Sequence, residues 1–172
     1  MRDSYKKDNN TLKYLRKVSN QNYIADIINR MEVTSVLDIG CYTGTLLGAL
    51  KASNYKGVYR GVDLAPEILA EAKATYPGAD FSIGNALDID PNTKAECIVL
   101  GGVFFYLSNE EGIKVFEDIK KIKSVKYVIY HDIIRCKRWV YSQNSAFDFC
   151  EKTTYEIDGG HNSVRKCYIA HM

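Results

Sequence analysis

Asp38, Asp63, His131 and Asp132 each lie at or near the end of a short apolar run. A carboxylate placed there can accept from an ammonium group, directly or through water, or from a pair of hydroxyls. A neutral imidazole there can take a proton near pH 7. Asp38 comes with two glycines, in the stretch Asp38-Ile-Gly40-Cys-Tyr42-Thr-Gly44. Gly40 has no Cβ and lets the backbone approach a ligand closely, and Gly44 lets the turn pass into a helix packed on the strand. A turn of this kind receives a nucleotide-like ligand. It is not the dinucleotide fingerprint G-x-G-x-x-G, which aligned on Gly40 needs glycine at 42 and 45, where this chain has Tyr42 and Thr45. Nor is it a Walker loop, since no Gly-Lys-Ser/Thr is present.

The surrounding sequence supplies elements that would carry these residues. Apolar spacing from Leu12 to Met31 predicts a helical segment, which Ser19-Asn20 could divide. Val33 to Ile39 reads as a buried strand, with a helix from Thr43 or Gly44 to about Ser53. Gly57 to Asp63 is a second strand, and Pro66 suits the first turn of the next helix. Phe81 to Gly84 and Glu96 to Gly102 are a third and fourth strand. Ser108 is placed to cap a helix that has Glu110 and Glu111 in its first turn and ends near Lys121. Val125 to Asp132 is a fifth strand, followed by a helical segment around 135–150. Thr153–Ile157 and Val164–Ala170, joined by Asp-Gly-Gly-His-Asn-Ser, read as a hairpin.

Strands alternating with helices imply a parallel sheet covered on both faces. The expectation is a single-domain α/β protein: a doubly wound, mainly parallel, seven-stranded Rossmann-like sheet with an antiparallel C-terminal hairpin at one edge. Residues 1–32 form an N-terminal helical segment or lid, and 33–172 form the core. In such a sheet, ligands bind beyond the carboxyl ends of the strands, where the strand order reverses.

Composition narrows the partners. The chain has 172 residues, 46% hydrophobic and 26% charged, with a formal net charge of +2. That balance is too mild to imply nucleic acid or a membrane as partner. No apolar run approaches the ~20 residues that cross a bilayer. The start of the chain has no apolar core of a secretory signal. Five scattered cysteines show neither metal-ligand spacing nor a C-x-x-C pair, as expected of reduced thiols in a cytoplasm.

Asp-x-Gly-x-x-x-Gly after an apolar strand resembles the first motif of class I S-adenosylmethionine-dependent methyltransferases. The usual form has glycine in the middle as well, where this chain has Tyr42, a residue that narrows the pocket. Asp63 lies 23 residues after Gly40, at the position where the family accepts from both ribose hydroxyls. The resemblance continues through IGNALDI at 83–89 and ECIVLGGVFFYL at 96–107 and spans about residues 33–135. It implies S-adenosylmethionine as cofactor, with contacts at Asp38, Gly40, Cys41, Tyr42 and Gly44 in the turn. It also implies Asp63 on the ribose and Leu64 on the adenine face. Asn85 and the Ala86 backbone would meet the adenine edge, and Gly101 would lie by the methyl.

Methyl transfer from a sulfonium is an in-line displacement in which the protein mainly aligns the reactants. A base is needed only where the nucleophile rests protonated. His131 is the leading candidate, with Asp132 and Tyr106 beside it and His161 as an outsider. The chain is close to a bare core fold and lacks [DNS]-P-P-[YF] after the fourth strand. A small-molecule acceptor, methylated on nitrogen or oxygen, is therefore the first expectation, and a homodimer could provide a lid. Two other classes stay open: a nucleic-acid or protein methyltransferase, and a non-catalytic binding protein that kept the fold.

Overall fold

In the computed structural model, the residues described are 18–133, 151–158 and 164–172. Five strands form a parallel sheet: β1 (Ser35–Ile39), β2 (Val58–Asp63), β3 (Asp80–Ile83), β4 (Cys97–Gly101) and β5 (Tyr127–Ile133). Two further strands, β6 (Glu151–Asp158) and β7 (Val164–His171), pair antiparallel, and β7 lies against β5. The strand order is β3-β2-β1-β4-β5-β7-β6. The chain first builds outward from β1 through β2 to β3, then returns to lay β4 on the other side of β1. That reversal opens a crevice at the carboxyl ends of β1 and β4.

The central strands are covered on both faces and are accordingly mostly apolar, with Asp38 of β1 as a buried exception. On one face, Val36, Tyr59, Phe81, Val99 and Ile129 meet three helices: α1 (Val18–Arg30), α2 (Thr45–Ala52) and α3 (Pro66–Thr75). On the other, Leu37, Ile39, Ile98, Leu100, Val128 and Tyr130 meet α4 (Asn109–Lys120) and the short 3-10 turn Phe104–Tyr106. Alternation along β1 therefore puts Asp38 on the same face as Val36, toward α1 and α2.

Local signals set the helix ends. Ser108 accepts from the Glu111 N–H at 3.2 Å and the Glu111 carboxylate accepts from the Ser108 N–H at 2.7 Å, a complete capping box. Pro66 opens α3 where a missing N–H costs nothing. The helix α1 begins at Val18 and lays Ile24, Ile27 and Ile28 against the sheet as one apolar stripe; whether Ser19-Asn20 divides the longer segment from Leu12 falls outside the described residues. The helical segment expected at about 135–150, the turn at 159–163 and the first 17 residues lie outside the described residues. Among the described residues, no helix is long and apolar enough to cross a membrane.

At the amino ends of the strands, Glu96 ties β1, β4 and β5 together. Its carboxylate accepts from the Thr34 N–H at 2.7 Å, the Thr34 hydroxyl at 3.0 Å and Lys126 Nζ at 2.5 Å. The lysine bond, followed by those from Thr34, pulls its carboxyl down to about 2. The folded group thus titrates below the unfolded one. Its contribution is present above the ordinary glutamate range and is lost as pH falls toward about 2. Glu96→Gln is expected to lower the melting temperature modestly at neutral pH, since the group is solvent-screened. Thermal melts on acidification should show the gap to the unaltered protein closing.

Candidate functional site

The turn after β1 is built on left-handed backbone. Gly40, Tyr42 and Gly44 have φ of +75°, +53° and +77°. For Tyr42 this conformation is strained by about 1–2 kcal/mol, which glycine would avoid. The turn is anchored from β2: Gly40 and Cys41 both donate to the Val62 carbonyl, at 2.8 and 3.0 Å. Around the glycines the structure leaves no room. A Cβ at Gly40 would lie 2.8 Å from Val103 Cγ2, and one at Gly44 would lie 2.8 Å from Phe81 Cζ. The close approach that Gly40 permits is thus to Val103 of the β4 loop, a neighbour within the fold. Gly44 permits the packing expected of it, against Phe81 on β3 and Tyr76 at the end of α3.

Two carboxylates are buried behind this turn, Asp38 and Asp63, each 4% exposed. Asp63 ends β2, and its two oxygens accept from the Tyr42 N–H and the Ala65 N–H, both at 3.0 Å. Burial raises its pKa, and the Ala65 and Tyr42 bonds oppose the rise. Asp38 Oδ2 accepts from the Tyr59 hydroxyl at 2.7 Å. Burial pushes the Asp38 carboxyl up to about 7, against the Tyr59 hydrogen bond and with the charge of Asp63. Cys41 lies between them with its thiol buried, donating to the Tyr42 carbonyl at 3.7 Å. Desolvation and the two carboxylates push that thiol well above its usual range, so it stays protonated and inert.

Toward the adjoining edge of the sheet, Leu64 and Ile83 are large apolar side chains left 55% and 68% exposed. They follow and end β2 and β3, whose last residues Asp63 and Ile83 are paired. Asn85 accepts from the Leu87 N–H at 3.0 Å, forming an Asx turn that orients its amide, and Ala86 beside it is buried. At β4 the strand ends at Gly101, and Gly102 follows with φ +70° and, among the described residues, nothing within 4 Å of where a Cβ would stand. That open glycine, Ile83 and Tyr59 are not among the residues singled out by sequence. The Gly101-Gly102 pair was the available signal for the first, while exposure reveals Ile83 and strand register reveals Tyr59.

The aromatic run Phe104-Phe105-Tyr106 divides between core and surface. Phe104 is core, stacked on Phe116 at 5.1 Å, whereas Phe105 and Tyr106 are exposed and pack edge to face at 5.2 Å. His131 and Asp132 lie on β5, where the backbone of His131 is level with Gly101 on one side and Cys167 on the other. Their side chains, and His161, fall outside the described residues. The structure thus brings Asp38, Gly40, Cys41, Tyr42, Gly44 and Asp63 into one cluster, with Leu64, Asn85, Ala86 and Gly101 along the same edge.

Similarities to known proteins agree with this geometry. Over 81 residues the chain is 33% identical to Rv1506c of Mycobacterium tuberculosis, a candidate methyltransferase; the match covers 45% of this chain and 46% of that protein. The chain therefore spans about half the length of this curated relative. A candidate O-methyltransferase of Nostoc punctiforme superposes with a TM-score of 0.72 at 18% identity, over 90% of this chain and 56% of that one. An amino pentose methyltransferase of Micromonospora echinaspora superposes with a TM-score of 0.70 at 15% identity, over 94% of both chains. At these identities the superpositions establish a shared Rossmann-like fold. The family described as the methyltransferase domain matches residues 36–123, just over half of the sequence and the whole turn, and to that family this chain belongs.

Proposed function

We propose that the chain transfers a methyl group from S-adenosylmethionine to a nitrogen or oxygen of a small-molecule acceptor. The observation that carries this reading is Asp63: a buried carboxylate at the carboxyl end of β2, fixed by the Tyr42 N–H of the turn and the Ala65 N–H at the start of α3. A carboxylate has about four lone-pair sites, so acceptor capacity remains on both oxygens for a pair of ribose hydroxyls. The cleft fits the rest of the cofactor. Leu64 and Ile83 offer apolar surface for adenine, and Asn85 and Ala86 offer polar atoms at its edge. The open space at Gly102 gives room beside β4 for the reacting end.

The cofactor brings its own activated methyl on a sulfonium. The chain's task is alignment and exclusion of water. Asp38 receives the ammonium of the amino-acid part through the oxygen that Tyr59 does not occupy. His131, level with Gly101, is the candidate base for a protonated nucleophile, with Asp132 and Tyr106 as the other groups near the acceptor. Support for a small acceptor comes from the near-neutral chain, with net charge +2, and from the amino pentose methyltransferase that it matches over nearly its whole length.

The test uses S-adenosylmethionine labelled on its methyl, incubated with the protein and panels of amino sugars, phenols, RNA and peptides. Label is expected in a small-molecule product. Label in RNA or peptide would overturn the acceptor class. Tight cofactor binding with no transfer to any panel would favour a binding protein.

A further inference from the structure

We infer that Tyr59 is a positioning residue for cofactor binding: its hydroxyl, bonded to one carboxylate oxygen of Asp38, orients that carboxylate to receive an ammonium group. The inference rests on the reading that Asp38 is the group that meets the cofactor's amino end.

Tyr59 and Asp38 are adjacent by register and not by sequence. Val36 is opposite Tyr59 and Asp38 opposite Gly61 in the β1–β2 pairing. Gly61 has no side chain, and the space a Cβ would fill beside Asp38 is taken by Phe81 at 2.7 Å and Cys41 Sγ at 2.9 Å. The ring of Tyr59 is fixed edge to face against Phe81, with centroids 6.0 Å apart. Its hydroxyl reaches Asp38 Oδ2 at 2.7 Å. On this reading the ammonium is met by Oδ1, the oxygen that Tyr59 does not occupy.

No cation among the described residues sets the charge of Asp38. From β2 it faces Tyr59 and Asp63, and from the turn it faces Cys41. The helices α1 and α2 present Ile24, Ala25, Leu46 and Leu47 to this face. Asp26 and Arg30 of α1 pair with each other in solvent, and Lys51 of α2 lies over the Tyr76 ring. The balance therefore falls between burial, which favours the neutral acid, and the Tyr59 hydroxyl, which favours the carboxylate. Burial pushes Tyr59 itself well above its ordinary range, so it remains the donor throughout.

Removing the hydroxyl should shift Asp38 toward the neutral acid, which cannot pair with an ammonium. The probes are S-adenosylhomocysteine and methylthioadenosine, the second carrying the nucleoside without the amino-acid part. Both are titrated calorimetrically against the unaltered protein, Tyr59→Phe and Asp38→Asn between about pH 6 and about pH 8.5. Taking the ratio of affinities between two proteins at each pH cancels the titration of the ligand's own amine.

Tyr59→Phe is expected to bind S-adenosylhomocysteine about tenfold more weakly below neutral pH, with the deficit shrinking to under twofold by about pH 8.5. Methylthioadenosine should bind both proteins alike, which also reports an intact fold. A deficit in Tyr59→Phe that is the same at every pH, or no deficit at all, would overturn the inference. Unchanged S-adenosylhomocysteine binding by Asp38→Asn would instead overturn the reading of Asp38 itself.

Discussion

Asp63→Ala should abolish useful cofactor binding while leaving a folded protein. The carboxylate would accept from two hydroxyls, and hydrogen bonds to a charged group contribute about 1.5–3 kcal/mol each. Losing both weakens affinity by roughly 10²–10⁴-fold. The fold responds differently, because two effects oppose each other. The Tyr42 and Ala65 N–H groups lose their acceptor, which is destabilising. Yet a buried carboxylate whose pKa is raised contributes most to folding when protonated. That contribution is present below the ordinary aspartate range and lost as pH rises through the folded value. Relative to the unaltered protein, the alanine variant should therefore melt progressively better as pH rises. Calorimetry with S-adenosylmethionine and S-adenosylhomocysteine, beside thermal melts, separates the two effects. Affinity within about threefold of the unaltered protein, with the fold intact, would remove Asp63 from the site.

Gly44→Ala should cause the largest loss of stability, and Gly78→Ala shows why. Both glycines have nearly the same φ, +77° and +79°. Among the described residues a Cβ at Gly78 meets nothing within 4 Å, whereas one at Gly44 lies 2.8 Å from Phe81 Cζ and 3.0 Å from two atoms of the Tyr76 ring. The left-handed backbone costs alanine about 1–2 kcal/mol at either position. Overpacking against the buried Phe81 ring adds about 1–3 kcal/mol at Gly44 alone. The sum, about 2–5 kcal/mol, is a large share of a typical domain's stability. For a chain of this size it corresponds to a melting temperature lower by roughly 5–20 °C, against a few degrees for Gly78→Ala. Differential scanning calorimetry of the two variants measures the steric part by difference. Equal shifts would mean that Phe81 and Tyr76 give way at little cost.

The parts of the fold legible in sequence were those where one physical cause acts locally. Central strands such as Cys97–Gly101 read as apolar runs because both faces are covered, and Ser108 with Glu111 announces a helix start within four residues. Asp63 was legible as the end of a short strand, and its distance from the glycine turn pointed to a ligand contact only through the family resemblance. What escaped depends on register between strands. Tyr59 in Gly-Val-Tyr-Arg-Gly-Val-Asp reads as an ordinary strand tyrosine, and only the pairing of Val36 with Tyr59 brings it to Asp38. Tyr42 was legible as a bulky residue in a glycine's place, but not its left-handed backbone or its N–H bond to Asp63. The role of Gly40 was visible only in half, since a sequence shows that a Cβ is missing and not that Val103 fills the space.

Gly40, Gly44 and Gly61 are kept small by Val103, Phe81, Tyr76 and Cys41, all atoms of the protein itself. Purifying selection on these positions would act through folding whether or not any descendant still bound a cofactor. A lineage that abandoned methyl transfer would keep the glycine turn intact. It would drift first at Leu64 and Ile83, whose side chains bury little in the fold. A genome survey that counts glycine turns therefore counts surviving folds; if Leu64 and Ile83 meet adenine as proposed, one that counts this exposed apolar pair comes closer to counting cofactor binders.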